Sequence, residues 1–470
     1  MKKLFSRKRY VYISIAILLL ALIGHKRAAV YGYDVNNDYL YDFTSADVAR
    51  VPARLTDGVV RFDGSLEGFD TVILEMTVKA TLLGQFIEPD LIITAKNGNA
   101  IKQDIELGGS GRRYINISNL VSGVASHHFS ITTHRLDIDD QQVHLYCFKN
   151  EINKQKRTLV IAPHPDDAEI AAFGFYSGNP NAYIVTITAG DAGADTYDEV
   201  YRDRAQQYLK KGQLRVWNSI TVPLLGGVPP SHTINLGYFD STLEEMFRNK
   251  ETEVLPRFAK LSNPGFFRKM NLSHLLDGRP DVATWQNLVG DLEEVISELQ
   301  PDIIVTPYPR IDAHPDHKMS TLAIFQALKN LGRTQGLLLM YSNHYPRSNY
   351  IPYGEMFSNV SLPPAFHGDF YFNSIYSCDL SEARQKDKYF ALEAMNDLRL
   401  DTEWRGVAGS AKYLWKNLQH KLLNKDESYF RRAVRQNEVF FVVNVNNIYS
   451  DNITSKLMGP QDSSGKLVAY

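Results

Sequence analysis

Apolar positions follow two rhythms along this chain, and the rhythm changes near residue 150. From about Tyr33 to Asn150 the runs are short and alternating: "GVVRFDGSL", "TVILEMTV", "DLIITAKNG", "RRYINISNL", "HHFSITTHRL" and "QVHLYCF". Period-two alternation predicts half-buried strands, and the Asp-Gly, Asn-Gly and Gly-Gly-Ser-Gly connections are turn signals. Strands at this spacing predict a β-sandwich over residues 33–150. Such a module could bind carbohydrate or serve only as a spacer. A polar linker, "NEINKQKR", follows at residues 150–157.

Beyond the linker, strand-like and helix-like runs alternate. "TLVIAP", "AYIVTITAG", "SITVPLL", "DIIVTP" and "GLLLMYS" read as strands. "DAEIAAFGFYS", "VYRDRAQQYLKKG", "TWQNLVGDLEEVISELQ" and "HKMSTLAIFQALKNL" read as helices. This alternation predicts an α/β fold over residues 151–470: a doubly wound, mostly parallel sheet of Rossmann-like type. "HTINLGYFDSTLEEMF" reads as an insertion at the rim. In such sheets ligands bind outside the carboxyl ends of the strands.

The first residues follow neither rhythm. Lys2, Lys3, Arg7, Lys8 and Arg9 precede an uncharged, mostly apolar run from Tyr10 to Gly24. A basic end followed by an apolar run has the layout of an export signal. No small-x-small cleavage site follows, which favours an uncleaved signal anchor over residues 1–32. That reading puts the chain in the inner membrane as a single-pass protein, with its catalytic part on the periplasmic, extracytoplasmic side.

Composition narrows the function classes. A formal net charge of −2 over 470 residues, with no basic stripe beyond the N-terminus, argues against a nucleic-acid partner. Two cysteines, Cys147 and Cys378, are too few and too far apart for a zinc-thiolate site. Spacing alone leaves open whether they pair as a disulfide.

The chemistry concentrates at two predicted strand ends. His164, Pro165, Asp166 and Asp167 follow "TLVIAP"; His314, Pro315, Asp316 and His317 follow "DIIVTP". Two histidines and a carboxylate are a common set for catalytic zinc, which keeps a fourth position open. Adjacent side chains in an extended turn diverge, so one of Asp166 and Asp167 can ligate while the other reaches a bound water. His314 and His317 are three apart and can share a helix face, one for metal and one for substrate. The competing reading is helix capping, since Asp is favoured at an N-cap and near the positive dipole end. Capping accounts for one Asp, but not for His164 or the second tetrad.

"APHPDDAEI" with Gly174, followed by "TPYPRIDAHPDH", resembles the PIG-L/LmbE family of zinc-dependent N-deacetylases over roughly residues 157–331. The resemblance implies an LmbE-type α/β fold and removal of an N-acetyl group, usually from an N-acetylglucosamine unit. It assigns His164, Asp167 and His317 as zinc ligands, Asp166 as general base, and His314 as oxyanion stabiliser and proton donor. Asp316 is expected beside His314, keeping it cationic. Arg202 is the nearest match to a sugar-facing arginine, although Ala205 stands where the family carries Glu three places later.

The expectation is therefore a zinc-dependent deacetylase of an N-acetylated sugar, glycolipid or polysaccharide of the cell envelope. The alternatives are a metal-dependent hydrolase of another amide or ester bond, and a non-catalytic glycan-binding protein. "YSNHYPRSNYIPYGE", residues 341–355, could line a sugar cleft with its tyrosines, His344 and Arg347, or be an exposed Pro-rich loop.

Overall fold

A computed structural model describes residues 30–459, apart from 122–126, 194–196, 347, 349, 369 and most of 396–427. The apolar run expected to anchor the chain, Tyr10–Gly24, and Arg347 lie outside the described residues. Among the described residues, no helix is long and apolar enough to cross a membrane.

The first half forms nine strands: β1 (Ala49–Thr56), β2 (Val59–Phe62), β3 (Thr71–Ala80), β4 (Asp90–Ala95), β5 (Ala100–Asp104), β6 (Ser110–Asn116), β7 (His128–His134), β8 (Leu136–Asp137) and β9 (Gln141–Phe148). They make one continuous antiparallel sheet in the order β5-β4-β7-β2-β1-β9-β3-β6, with β8 added to β3. The β-sandwich expected over residues 33–150 is not confirmed as two separate sheets. The difference arises at β9, which pairs with both β1 and β3 and so joins what would be two sheets into one. One core holds Ile101 of β5 and Ile115 of β6 together with Leu74, Ile93 and Ile131. Strands from both ends of the order thus contribute to one apolar core. Strand β1 escaped the sequence pattern because Pro52 interrupts it. Pro52 lies beyond the β2 pairing, where β1 has a partner only on its β9 side, so the missing N–H is tolerated.

The second half forms β10 (Thr158–Ala162), β11 (Ala182–Thr188), β12 (Thr233–Tyr238), β13 (Ile303–Pro307), β14 (Leu337–Tyr341), β15 (Ser374–Asp379) and β16 (Asn437–Asn444). Their order is β12-β11-β10-β13-β14-β16-β15. The first five are parallel, and β16 and β15 close that edge in antiparallel pairing. This is the expected doubly wound, mostly parallel α/β sheet. Alternate side chains of β10 serve opposite faces: Leu159 and Ile161 enter one core, Val160 and Ala162 the other. Helices Trp285–Leu299 and Pro315–Asn330 cover the first face, and helices Asp167–Tyr176 and Glu382–Ala394 the second.

Two local expectations are corrected. "SITVPLL" is the end of helix Arg204–Thr221 running into a 3-10 turn, Val222–Gly226, because Pro223 cannot serve a central ladder. The strand at that edge is instead β12, inside the stretch read as a rim insertion. Cys147 and Cys378 are both buried and unpaired.

The two halves share a core. Tyr39, Tyr41 and Phe43, just ahead of β1, pack with Tyr146 and Phe148 of β9 and with Phe370, Phe372 and Phe441 of the second half. Phe43 stacks on Tyr146 at 3.9 Å between ring centroids. The antiparallel sheet is therefore seated on the α/β half through aromatic packing.

Candidate metal centre

Strand β10 pairs with β11 on one side and β13 on the other, so the strand order reverses beside it. Loops leaving the carboxyl ends of β10 and β13 are neighbours at this switch point. That register brings residues about 150 positions apart in sequence into contact.

His164 Nδ1 lies 3.2 Å from Asp167 Oδ2 and 3.2 Å from His317 Nε2, and the latter two atoms are 3.1 Å apart. Zinc about 2.0–2.1 Å from three tetrahedral ligands spaces those ligands about 3.3–3.4 Å apart. The three atoms thus form a nearly equilateral triangle close to the edge of such a tetrahedron. Three further sets in the same cluster also bring donor atoms within 4.8 Å of one another: His164, His314 and His317; Asp167, His317 and His344; and His164, Asp240 and Asp316.

Each corner of the triangle is braced. His317 Nδ1 lies 3.0 Å from Asp312 Oδ2, which also receives the backbone N–H of Asn343 at 3.0 Å and of His344 at 3.3 Å. Asn343 Nδ2 donates to Asp167 Oδ1 at 2.7 Å, and the Tyr429 hydroxyl donates to the Asn343 carbonyl. Asp167 Oδ2 receives the His164 backbone N–H at 2.8 Å. His164 Nε2 faces Asp240 Oδ1 at 3.4 Å and Asp316 Oδ2 at 3.5 Å. Carboxylates behind ligating histidines fix the ring orientation and the tautomer.

The electrostatics favour positive charge at this place. Burial alone would lower the pKa of His164 and His317. Asp240 beside His164, and Asp167 and Asp312 beside His317, outweigh it, raising His164 well above the ordinary range and His317 to about 10. Asp167 is held well below the carboxylate range by His317 and His164 in spite of burial. A cluster that draws protons onto its imidazoles in this way also suits a divalent cation, which competes for the same lone pairs.

Asp166 occupies the N-cap position of helix Asp167–Tyr176, yet its side chain makes no capping bond. Its Oδ1 instead receives Nη2 of the buried Arg215 at 2.9 Å, and Arg215 Nη1 donates to the Gly190 carbonyl at 3.1 Å. Gly190 sits at φ +62°, and a Cβ there would come within 2.4 Å of the Arg215 guanidinium and 2.8 Å of Pro165. Glycine is required for the arginine to pass. Capping alone therefore does not describe the first tetrad.

His314 caps the second helix by accepting the Asp316 N–H at Nδ1, 3.2 Å away. The Asp316 carboxylate turns elsewhere: its oxygens receive the N–H of Ser241 at 2.6 Å and of Leu243 at 3.3 Å. The expectation was that this carboxylate keeps His314 cationic; it does favour the charged ring, but other influences outweigh it. Burial, with His164 and His317 close by, pushes His314 down to about 4, which favours the neutral imidazole. Arg202 is exposed in the bend before helix Arg204–Thr221, and Arg215, three turns deeper in that helix, is the arginine that reaches the cluster.

Asp312, Asn343, Asp240 and Arg215 were not singled out from the sequence. Asp312 lay inside the quoted motif, two residues before His314. Asn343 follows β14, the next parallel strand, and so stands at another carboxyl end of the same sheet. His344, noted as a cleft residue, lies 5.0 Å from His317 between ring centroids. A separate cavity of about 140 Å³ lies between the two sheets and is lined by Tyr39, Tyr114, Asn343 and Tyr429. None of the three triangle residues lines it, although Asn343, which bonds Asp167, does.

The fold and site together define a doubly wound α/β domain with a histidine–aspartate centre of metal-binding type at its switch point. Residues 159–328 match the PIG-L family, described as GlcNAc-PI de-N-acetylase, and the chain carries a PIG-L family domain there. No curated protein matches the sequence. Among solved structures, the A40926 pseudoaglycone deacetylase Dbv21 is similar at 16% identity over 62% of this chain and 98% of its own, with a TM-score of 0.34. The zinc-inhibited form of teicoplanin deacetylase Orf2 is similar at 17% identity over 63% and 99%, with a TM-score of 0.34. GalB, the 4-carboxy-2-hydroxymuconate hydratase from Pseudomonas putida KT2440, shares 12% identity over 61% and 96%, with a TM-score of 0.30.

Proposed function

We propose that this protein is a zinc-dependent N-deacetylase acting on an N-acetylglucosamine-type sugar of a cell-envelope glycan or glycolipid. The carrying observation is the triangle of His164 Nδ1, Asp167 Oδ2 and His317 Nε2 with edges of 3.1–3.2 Å. It lies within the domain whose family is described by de-N-acetylation. The basic and then apolar N-terminal sequence supports a single-pass inner-membrane location, with the catalytic half outside the cytoplasm.

In this reading the three triangle residues hold the ion. A bound zinc supplies Lewis acidity toward water and an amide carbonyl, two partners that react poorly at neutral pH. Asp166 takes the proton of the attacking water, and Arg215 fixes the carboxylate in place. Because His314 Nδ1 accepts the Asp316 N–H, the proton of the neutral ring sits on Nε2, where it can donate to the oxygen that gains charge. The departing amine recovers the proton held by Asp166.

The test is acetate release from N-acetylated envelope glycans by the full chain, before and after chelation and zinc restoration, beside Asp166→Ala. Release that is lost on chelation, restored by zinc and abolished in the variant is the expected outcome. A fully zinc-loaded wild type that releases no acetate from any N-acetylated sugar would overturn the proposal.

A further inference from the structure

The connection between β3 and β4 turns its apolar side chains outward. Leu82, Leu83, Phe86 and Ile87 are 79%, 62%, 44% and 55% exposed, four large apolar residues within six positions. Isolated exposed leucines need no explanation, but a contiguous uncharged cluster does. Nor can the loop fold inward easily, because its backbone is tied down. Thr81 N–H donates to the Arg135 carbonyl at 3.0 Å, and the Gly84 carbonyl receives Gly108 N–H at 2.8 Å. Within the turn, Phe86 and Ile87 N–H both donate to the Leu83 carbonyl at 3.0 Å, while Arg135 Nε reaches the Glu88 carbonyl at 2.9 Å. Gly84 sits where a Cβ would come within 2.3 Å of the Arg135 carbonyl oxygen, so the loop lies tight on its neighbour.

A second observation comes from where the N-terminal segment enters the fold. Tyr31 is buried, its hydroxyl receives Leu107 N–H at 3.0 Å, and Val30, Tyr31 and Leu107 share one small apolar cluster. Leu107 directly precedes Gly108, the residue that bonds the loop at Gly84. Tyr31 and Glu88 also line the same crevice. The apolar run Tyr10–Gly24 ends six residues before Val30, a span of at most about 20 Å when fully extended. The exposed loop and Val30, where the described chain begins, therefore lie close together.

We propose that Leu82, Leu83, Phe86 and Ile87 form a bilayer-docking surface, inserted into the outer leaflet beside the membrane-embedded N-terminal run. Two apolar attachments on one rigid body hold it at a defined tilt, whereas the N-terminal segment alone would leave it swinging on a short tether. A bilayer is favoured over a protein partner because the sequence leading toward Val30 contains an uncharged, mostly apolar run of membrane-type composition, Tyr10–Gly24. The inference stands apart from the metal chemistry.

The test uses the full chain reconstituted in phosphatidylethanolamine/phosphatidylglycerol vesicles. Leu83→Cys and Lys96→Cys are each labelled with nitrobenzoxadiazole; the native Cys147 and Cys378 are buried. Lys96 is exposed and lies at the far end of β4, about 20 Å from the loop side. The expected result is a blue-shifted emission at position 83 that is quenched by doxyl-labelled lipid, with position 96 unquenched in vesicles that float with the protein. Floating vesicles in which position 83 stays unquenched would overturn the proposal, as would failure of the chain to float. A concentration-dependent shift without lipid, lost in Leu83→Ser/Phe86→Ser/Ile87→Ser, would assign the surface to a protein contact instead. Acetate release from a soluble N-acetylated sugar, measured on the same samples, should be unchanged and keeps this outcome separate from that of the catalytic proposal.

Discussion

Nη2 of Arg215 lies 2.9 Å from Oδ1 of Asp166, and both side chains are largely buried beside the metal-type triangle. The pair joins a residue legible in the first tetrad to one that no motif announced. If Asp166 is the base, Arg215 orients it without touching the ion. Arg215→Met should then lower kcat about 10- to 100-fold, less than the roughly 100- to 10,000-fold that general-base catalysis itself supplies, while zinc content stays at one per chain. Arg215→Lys should recover little, because a point charge cannot hold both Asp166 and the Gly190 carbonyl in the same geometry. Metal analysis beside steady-state kinetics decides it; loss of zinc in Arg215→Met would make the arginine a support of the ion site.

The two tetrads should also separate in their losses. Asp166→Asn should keep zinc and lose about 100- to 10,000-fold in kcat. His317→Ala should lose zinc and turnover together, since it removes a corner of the triangle. Asp312→Asn should weaken zinc binding about 10- to 100-fold, because the Asp312 carboxylate braces the His317 ring and receives three backbone N–H groups, from His314, Asn343 and His344. Competition against a chromogenic chelator gives the affinities.

Much of this centre was readable because its ligands sit in short motifs at strand ends. The strands announced themselves by continuous apolar runs, and the parallel order put their ends together. What could not be read was contact made by residues with no local signature. Arg215 looks like any helix arginine until helix Arg204–Thr221 is laid beside Gly190; Asp240 and Asn343 are ordinary loop residues until the strand order is known. Arg202 was nearer the motif in sequence but faces solvent. The sandwich expectation was not confirmed for a related reason: alternation reveals strands but not partners, and the strands here join in one continuous sheet. In "SITVPLL" the β-branched residues imitated a strand, while Pro223 and the preceding helical face determined the outcome.

A pH dependence of stability should follow from Asp191, away from the triangle. Burial, reinforced by the nearby Asp240 carboxylate, pushes its carboxyl up to about 7, although Asp240 N–H donates to it at 2.9 Å. In the unfolded chain it titrates near about 3.9. Between these values the folded state holds the proton longer, so its contribution is fully present below about pH 4 and is lost as pH rises through 7. Asp191→Asn keeps the acceptor and removes the titration. It should unfold at higher urea than wild type at pH 8, by about 1–3 kcal/mol, and approach wild type at pH 4. Equal differences at both pH values would exclude this origin.

The helix that begins at Asp167 is clamped from the far side by an ion pair. Lys388 Nζ lies 2.8 Å from Glu438 Oε1 and donates to the Ile170 carbonyl at 2.8 Å; Glu438 receives the N–H of Gly174 at 2.8 Å and of Phe175 at 2.9 Å. Both side chains are nearly inaccessible to solvent. The pair thus brackets the turn of helix between Ile170 and Gly174, and ties it to helix Glu382–Ala394 and strand β16. Removing one member leaves an uncompensated buried charge, which costs about 3–5 kcal/mol. Lys388→Met should therefore lower the urea midpoint strongly. The double variant Lys388→Met/Glu438→Gln should recover a substantial part, because the amide carbonyl still accepts a helix N–H and no charge is left buried. A double variant no more stable than Lys388→Met would show that the loss comes from packing and not from the stranded carboxylate.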